Sequence, residues 1–126
     1  MKNKKRLLTA MFCLLAGSNL LVSGPSTAGV EEGKASYYAD RHVGKKTASG
    51  EVYRPNNMTA AHRTLPFGQK VKVCLRKQPD RCVVVRINDR GPFAKGRVID
   101  LSRGAAEKLD LIRKGIAGVT VREAGE

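Results

Sequence analysis

Polar and apolar residues alternate along Lys70-Val71-Lys72-Val73-Cys74-Leu75, the mark of a strand with one face buried. Cys82-Val83-Val84-Val85-Arg86-Ile87 is β-branched and almost continuously apolar, which predicts a more fully buried strand. Shorter strands are predicted at 35–39, 97–101 and 118–122. Glu31 to Gly33 reads as a flexible lead-in and 40–50 as a loop, while 58–62 is too short to assign. One helix is predicted after Ser102, a natural N-cap, with Ala105, Ala106, Leu109 and Ile112 at helical spacing. Gly104 weakens its first turn, Lys108, Arg113 and Lys114 suit its negative end, and Gly115 is placed to stop it. Short strands, glycine-rich turns and a single helix together predict a mainly β fold closed into a small barrel, because closure removes exposed strand edges.

The first residues do not share that pattern. Lys2, Lys4, Lys5 and Arg6 precede a largely apolar run from Leu7 to Val22, and Ser26-Thr27-Ala28 offers small residues to a signal peptidase. The run is short, and Gly17, Ser18 and Asn19 interrupt it, so a membrane span is poorly served. Cys13 follows the large Phe12, unlike a lipid-attachment cysteine, and is read as an ordinary leader residue. The expected division is a secretory signal peptide at 1–28 and one domain at 29–126, placing the mature protein in the periplasm or outside the cell.

Removing the leader takes four of the 24 Lys and Arg and leaves 20 against 11 acids, a net charge of +9. That charge favours polyanions. Outside the cytoplasm these are cell wall, teichoic acid or lipopolysaccharide more readily than nucleic acid. Cys74 and Cys82 form an even pair flanking a Pro79-Asp80 turn, which predicts a disulfide across a β-hairpin. No Cys/His cluster accompanies them, so no metal is expected.

Phosphate loops, metal-binding helix motifs and catalytic-cysteine patterns are absent, which leaves acid/base work on a neutral substrate as the main enzymatic option. Three acids stand out by context: Glu51 in a small polar segment, Asp89 directly after a buried strand, and Asp100 between Ile99 and Leu101. A partly desolvated carboxylic acid tends to keep its proton and can donate it to a glycosidic oxygen. Each has another reading. Asn88-Asp89-Arg90-Gly91-Pro92 is a good turn that Asp89 could simply cap; Asp100 could pair with an arginine or cap the helix; Glu51 could be a surface residue. His62 could be a satisfied structural histidine.

Five segments occur in order: 35–38 (Ala-Ser-Tyr-Tyr), 46–51 (Lys-Thr-Ala-Ser-Gly-Glu), 59–68 (Thr-Ala-Ala-His-Arg-Thr-Leu-Pro-Phe-Gly), 84–93 (Val-Val-Arg-Ile-Asn-Asp-Arg-Gly-Pro-Phe) and 97–102 (Arg-Val-Ile-Asp-Leu-Ser). Together they resemble the rare lipoprotein A-like domain, over nearly all of the chain from about Lys34 to Val121. The resemblance implies a six-stranded double-psi β-barrel with one short helix, similar in architecture to expansin N-terminal domains and family 45 endoglucanases. It implies lytic transglycosylase cleavage of the β-1,4 bond between N-acetylmuramic acid and N-acetylglucosamine, with 1,6-anhydro ends and no cofactor. It carries catalytic roles onto Asp89, Glu51 and His62, with Asp89 as acid/base and Asp100 as second choice. Substrate contacts are expected from Asp100, Tyr38, Arg86 and Arg90. The chain ends at Glu126 without the C-terminal glycan-binding repeat of septal members, so septal targeting is not expected, and the Cys74–Cys82 hairpin is not a general family feature.

Two further classes compete with the enzyme: a non-catalytic, expansin-like binder of peptidoglycan, and a basic nucleic-acid binder, which the leader argues against. The expected partners are peptidoglycan glycan strands and other cell-wall enzymes, the expected state is a monomer, and neither nucleic acid nor a stable membrane span is expected.

Overall fold

The computed structural model describes residues 29–125; the expected leader and its cut after Ala28 lie outside the described residues. The chain runs through β1 (Val30–Tyr37), a 3-10 turn (Asp40–His42), β2 (Thr59–Ala61), β3 (Lys70–Leu75), β4 (Cys82–Asp89), β5 (Arg97–Leu101), α1 (Arg103–Lys108) and β6 (Ala117–Glu123). The strands close into a six-stranded barrel in the order β1-β5-β2-β4-β3-β6. Pairs β1·β5 and β2·β4 are parallel, whereas β2·β5, β3·β4 and β3·β6 are antiparallel. No helix among the described residues is long and apolar enough to cross a membrane.

The barrel is filled by Val71 and Val73 of β3, Val85 and Ile87 of β4, Ile99 and Leu101 of β5, and Val119 and Val121 of β6. β3 spans the residues its alternation predicts. β4 is less buried than its almost continuous apolar run predicts. It alternates, with Val83, Val85 and Ile87 buried and Val84 45% exposed, because its outer face meets solvent. Glu31 to Gly33, read as a lead-in, belong to β1, where Gly33 packs so tightly on Val98 that a Cβ would clash at 2.3 Å. A lone glycine between charged residues gives a sequence reading no sign of that contact. The expected disulfide joins Cys74 to Cys82, which face each other across β3 and β4.

Ser102 caps α1 as expected, its hydroxyl accepting from the Ala105 N–H at 3.3 Å. The helix ends earlier than Ile112 and Gly115 suggest. Leu109 is the C-cap, and Asp110 takes a left-handed conformation with φ +57°. The Leu111 N–H then bonds the Ala106 carbonyl and the Asp110 N–H bonds that of Glu107, a Schellman closure with Leu111 fully buried. The Leu109–Ile112 spacing that suggests a longer helix reflects two apolar residues anchoring this closure and the turn after it. Gly104 is required rather than merely tolerated, since its Cβ would sit 2.8 Å from the Pro55 carbonyl oxygen.

A non-glycine residue held left-handed is strained, and glycine relieves that at some cost in chain entropy. Asp110→Gly is therefore expected to raise stability by about 0.5 kcal/mol, or roughly 2–4 °C in Tm for a domain of this size. Thermal unfolding by circular dichroism reads this directly; a lower Tm would mean that the aspartate side chain contributes more than its backbone costs.

Candidate active site

The three-residue strand β2 organises one end of the barrel. Ala61 is the register partner of Asp89 across the parallel β2·β4 pair and of Asp100 across the antiparallel β2·β5 pair. A register shift between Ala60 and Ala61 sets Asp89, rather than Asn88, opposite Ala61. Ser36 faces Asp100 across β1·β5. A row Ser36–Asp100–Ala61–Asp89 thus crosses four neighbouring strands. The two carboxylates stand about two strand spacings apart, roughly 10 Å between backbones. The buried methyl of Ala61 between them leaves a groove of about 360 Å³, walled by Tyr38, His42, Arg90, Phe93 and Arg97.

Asp89 accepts three hydrogen bonds there. Its Oδ1 takes the Ala48 and Arg90 N–H groups, each at 2.8 Å, and its Oδ2 takes the Tyr38 hydroxyl. The Tyr38 ring stacks on Tyr53 at 4.5 Å between centroids and meets the edge of His42. Burial, and then the bond to Asp89, push the Tyr38 hydroxyl well above its ordinary pKa, so it stays a proton donor. Burial also raises Tyr53, whose hydroxyl accepts the Arg103 N–H at 3.0 Å and so ties this aromatic stack to the start of α1. Asp100 accepts from Ser36 and from Arg97 Nη2 at 2.8 Å, so the arginine pairing holds while Ser102 does the capping. Arg97 Nε is buried without a partner among the described residues. Such a donor costs about 1–3 kcal/mol, so holding Asp100 strains the site modestly.

Glu51 and His62 do not line the groove. The Glu51 carboxylate receives a two-pronged grip from Arg86 Nη1 and Nη2 at 2.9 and 2.8 Å, plus Asn88 Nδ2 at 2.9 Å. Arg86 and Asn88 are two residues apart on β4, so they share a face and reach one ligand. Those bonds from Arg86, then Asn88, lower the Glu51 pKa from 4.5 to about 2, and they raise that of Arg86. His62 is buried. Its Nδ1 accepts the Thr64 and Leu65 N–H groups, each at 3.1 Å, which assigns the ring proton to Nε2, 2.7 Å from Glu31. It is the His62 backbone N–H that meets Asp89, at the main-chain carbonyl.

Arg90 walls the groove, but Nη1 is spent on the His62 and Leu65 carbonyls and its guanidinium lies 4.1 Å over the Phe67 ring. Sequence reasoning missed His42, Tyr53 and Phe93. Phe93 is 78% exposed beside the groove, an apolar surface with no partner among the described residues. It follows Gly91-Pro92 in an irregular segment after β4, where no periodic pattern marks a side chain as exposed.

Glu51 gives a pH test with a definite sign. Its folded pKa is depressed, so its stabilisation is complete above about pH 4.5 and is lost as pH falls towards 2. The stability difference between wild type and Glu51→Gln, from urea titrations at fixed ionic strength, is expected to be level from about pH 5 to 7 and to shrink below about 4.5. The effect is modest, because both partners are more than a third exposed. A difference that stays level to about pH 3 would show that the grip from Arg86 does not bias the carboxylate.

The profile of the double-psi β-barrel family described as lytic transglycolase matches residues 30–121. A Nostoc protein named probable endolytic peptidoglycan transglycosylase RlpA is 53% identical over 96 residues, 75% of this chain. The chain spans 26% of that relative's length. Among solved structures, the Streptomyces papain inhibitor matches with TM-score 0.59 and 26% identity, over 74% of this chain and 92% of that one. Clavibacter michiganensis expansin matches with TM-score 0.59 at 17% identity, over 77% of this chain and 51% of that one, a likeness of fold. The chain belongs to the lytic transglycolase family, as a rare lipoprotein A-like double-psi β-barrel.

Proposed function

We propose that this domain is a lytic transglycosylase acting on peptidoglycan glycan strands, with Asp89 as its acid/base, in the periplasm or outside the cell. The observation that carries the reading is the row across β2. It sets Asp89 beside an open groove, on a register irregularity, with a tyrosine donor fixed on one of its oxygens. The names of the curated relatives point to the same substrate.

In the reaction, Asp89 gives its proton to the glycosidic oxygen as the C1–O bond breaks. The C6 hydroxyl of the same muramic residue closes on C1, and its proton returns to the Asp89 carboxylate. The products are a free 4-hydroxyl and a 1,6-anhydro ring, and no water is consumed. Tyr38 serves both halves, because a hydroxyl donates to Oδ2 when the acid is ionised and accepts from it when protonated. Asp100, anchored by Ser36 and Arg97, faces the same groove and holds sugar hydroxyls or balances positive charge at C1. Glu51 and His62 act through others: Glu51 braces the outer face of β4, and His62 shapes the 62–65 turn that carries the Arg90 contacts. Phe93 offers its exposed ring to an apolar sugar face.

A second reading, a non-catalytic glycan binder, draws on the three donors into Asp89, which arrange it as an acceptor at rest. A solved expansin of similar fold is recorded in complex with cellohexaose.

Digestion of purified sacculi, read by mass spectrometry, separates the two. Wild type is expected to release 1,6-anhydro muropeptides, and Asp89→Asn to lose about 10²–10⁴-fold of that activity, the usual worth of general acid–base catalysis. Products that persist in Asp89→Asn and vanish in Asp100→Asn would move the acid/base to Asp100. No product from wild type that still pellets with sacculi would leave the binder. Phe93→Ala should keep its Tm, as an exposed side chain, while its KM for soluble glycan rises on the order of 10-fold with kcat held. An unchanged KM would remove Phe93 from the binding surface.

A further inference from the structure

A pair of depressions lies apart from the groove and shares no residue with it. The larger, about 680 Å³, is lined by Lys34, Arg76, Lys77 and Lys114; the smaller, about 320 Å³, by Lys72, Arg76, Arg122 and one acid, Glu32, beside the disulfide. Leu75 and Arg76 belong to both, so the two join into one track. Its cations come from the neighbouring strands β1, β6 and β3, the β3–β4 hairpin and the segment before β6.

The charge on this track is unbalanced at close range. Of its six cations only Arg76 has a carboxylate partner among the described residues, Glu32 at 3.7 Å with both side chains more than half exposed. Lys34, Lys72, Lys77, Lys114 and Arg122 make no salt bridge there. Lys72 and Arg122 stand directly opposite each other in the antiparallel β3·β6 pair. Like charges in that position destabilise a sheet. Folding alone would be better served by a carboxylate at either place, so the pair makes sense as a site that an external anion completes. Gly118 contributes space: a Cβ there would press on Arg76 Cδ at 3.3 Å, and its absence lets the Arg76 stem lie along β6, where its N–H bonds the Gly118 carbonyl.

The lining chooses among anions. Four of the six cations are lysines, compact and mobile point charges that can follow phosphates along a flexible chain without a fixed fork geometry. No aromatic residue lines either depression, so bases have nothing to stack on. Ile116 is the one exposed large hydrophobic in the track, too little apolar surface to enter a lipid layer. We infer that this track is a second binding site, for a linear phosphate-bearing polymer, independent of the catalytic groove.

The test uses the purified chain and linear polyphosphate of about 20 units, with affinity followed against salt. Each phosphate neutralised contributes roughly −0.7 to the log–log slope on a flexible single chain. Lys34→Gln/Lys77→Gln/Lys114→Gln is expected to flatten that slope by about 2 and to weaken binding at least about 10-fold at low salt. Lys45→Gln/Lys46→Gln/Lys108→Gln removes the same charge from exposed positions outside both depressions and should change the slope by less than about 0.5. Polyphosphate should also raise the Tm of wild type and of the control but not of the track variant, which shows that all three are folded. Equal losses in the two triple variants would reduce the effect to net charge and overturn the site. Polyglutamate binding as tightly as polyphosphate, or phosphatidylglycerol vesicles binding where polyphosphate does not, would overturn the ligand class.

Discussion

The groove exists because a three-residue strand is gripped from both sides. Thr59–Ala61 pairs parallel with β4 and antiparallel with β5, and its last residue serves as register partner to one aspartate on each neighbour. A one-residue slip in either pair would turn the neighbouring side chains to the opposite face, exchanging an aspartate for an apolar or amide neighbour. The irregularity at Ala60/Ala61 performs such an exchange once, bringing Asp89 into line in place of Asn88. Ala61 has to be small as well. Any longer side chain there would rise between the carboxylates and fill the groove.

Around that row the polar groups divide by how completely they are already engaged. Glu51, Arg86 and Asn88 form a closed set in which each group's main demand is met by another, and the low pKa of Glu51 follows from it. His62 is closed in the same sense, with both ring nitrogens in use. Closed sets hold shape; they have little left to offer a substrate. Asp89 and Asp100 are also bonded, but they line open space, and their partners Tyr38 and Ser36 are hydroxyls that can reverse from donor to acceptor. That reversibility leaves the two aspartates able to exchange hydrogen-bond roles, which the closed sets lack.

Much of the fold was legible locally. The alternation at Lys70–Leu75, the cysteine-clamped hairpin and the Ser102 cap each depend on neighbours in sequence, and each stands in the structure. What was illegible depends on distant partners. Val84 looks like its buried neighbours and is exposed, because which face of a strand meets the core is decided by strands elsewhere in the chain. Glu31 to Gly33 look like a lead-in, since the contact that needs Gly33 is with Val98. The end of α1 was misplaced because an aspartate can take the left-handed position usually left to glycine. For the site, sequence could name the two aspartates but not rank the histidines. His42 reaches the groove through a 3-10 turn with no periodic signature, while His62, inside the more recognisable segment, is turned into the protein.

Charge gives the molecule two unlike faces. In the groove each carboxylate has a cation or hydroxyl within hydrogen-bond reach, so the local field is nearly balanced. On the β3·β6 side cations stand beside cations, and Glu32 is the one carboxylate among the lining residues to offset them. At physiological salt the screening length is about 8 Å, so a balanced groove and an unbalanced track on separate surfaces act almost independently. A polymer held by the track would leave the groove open. It would raise the time the domain spends near a surface carrying that polymer, with salt weakening this retention steeply.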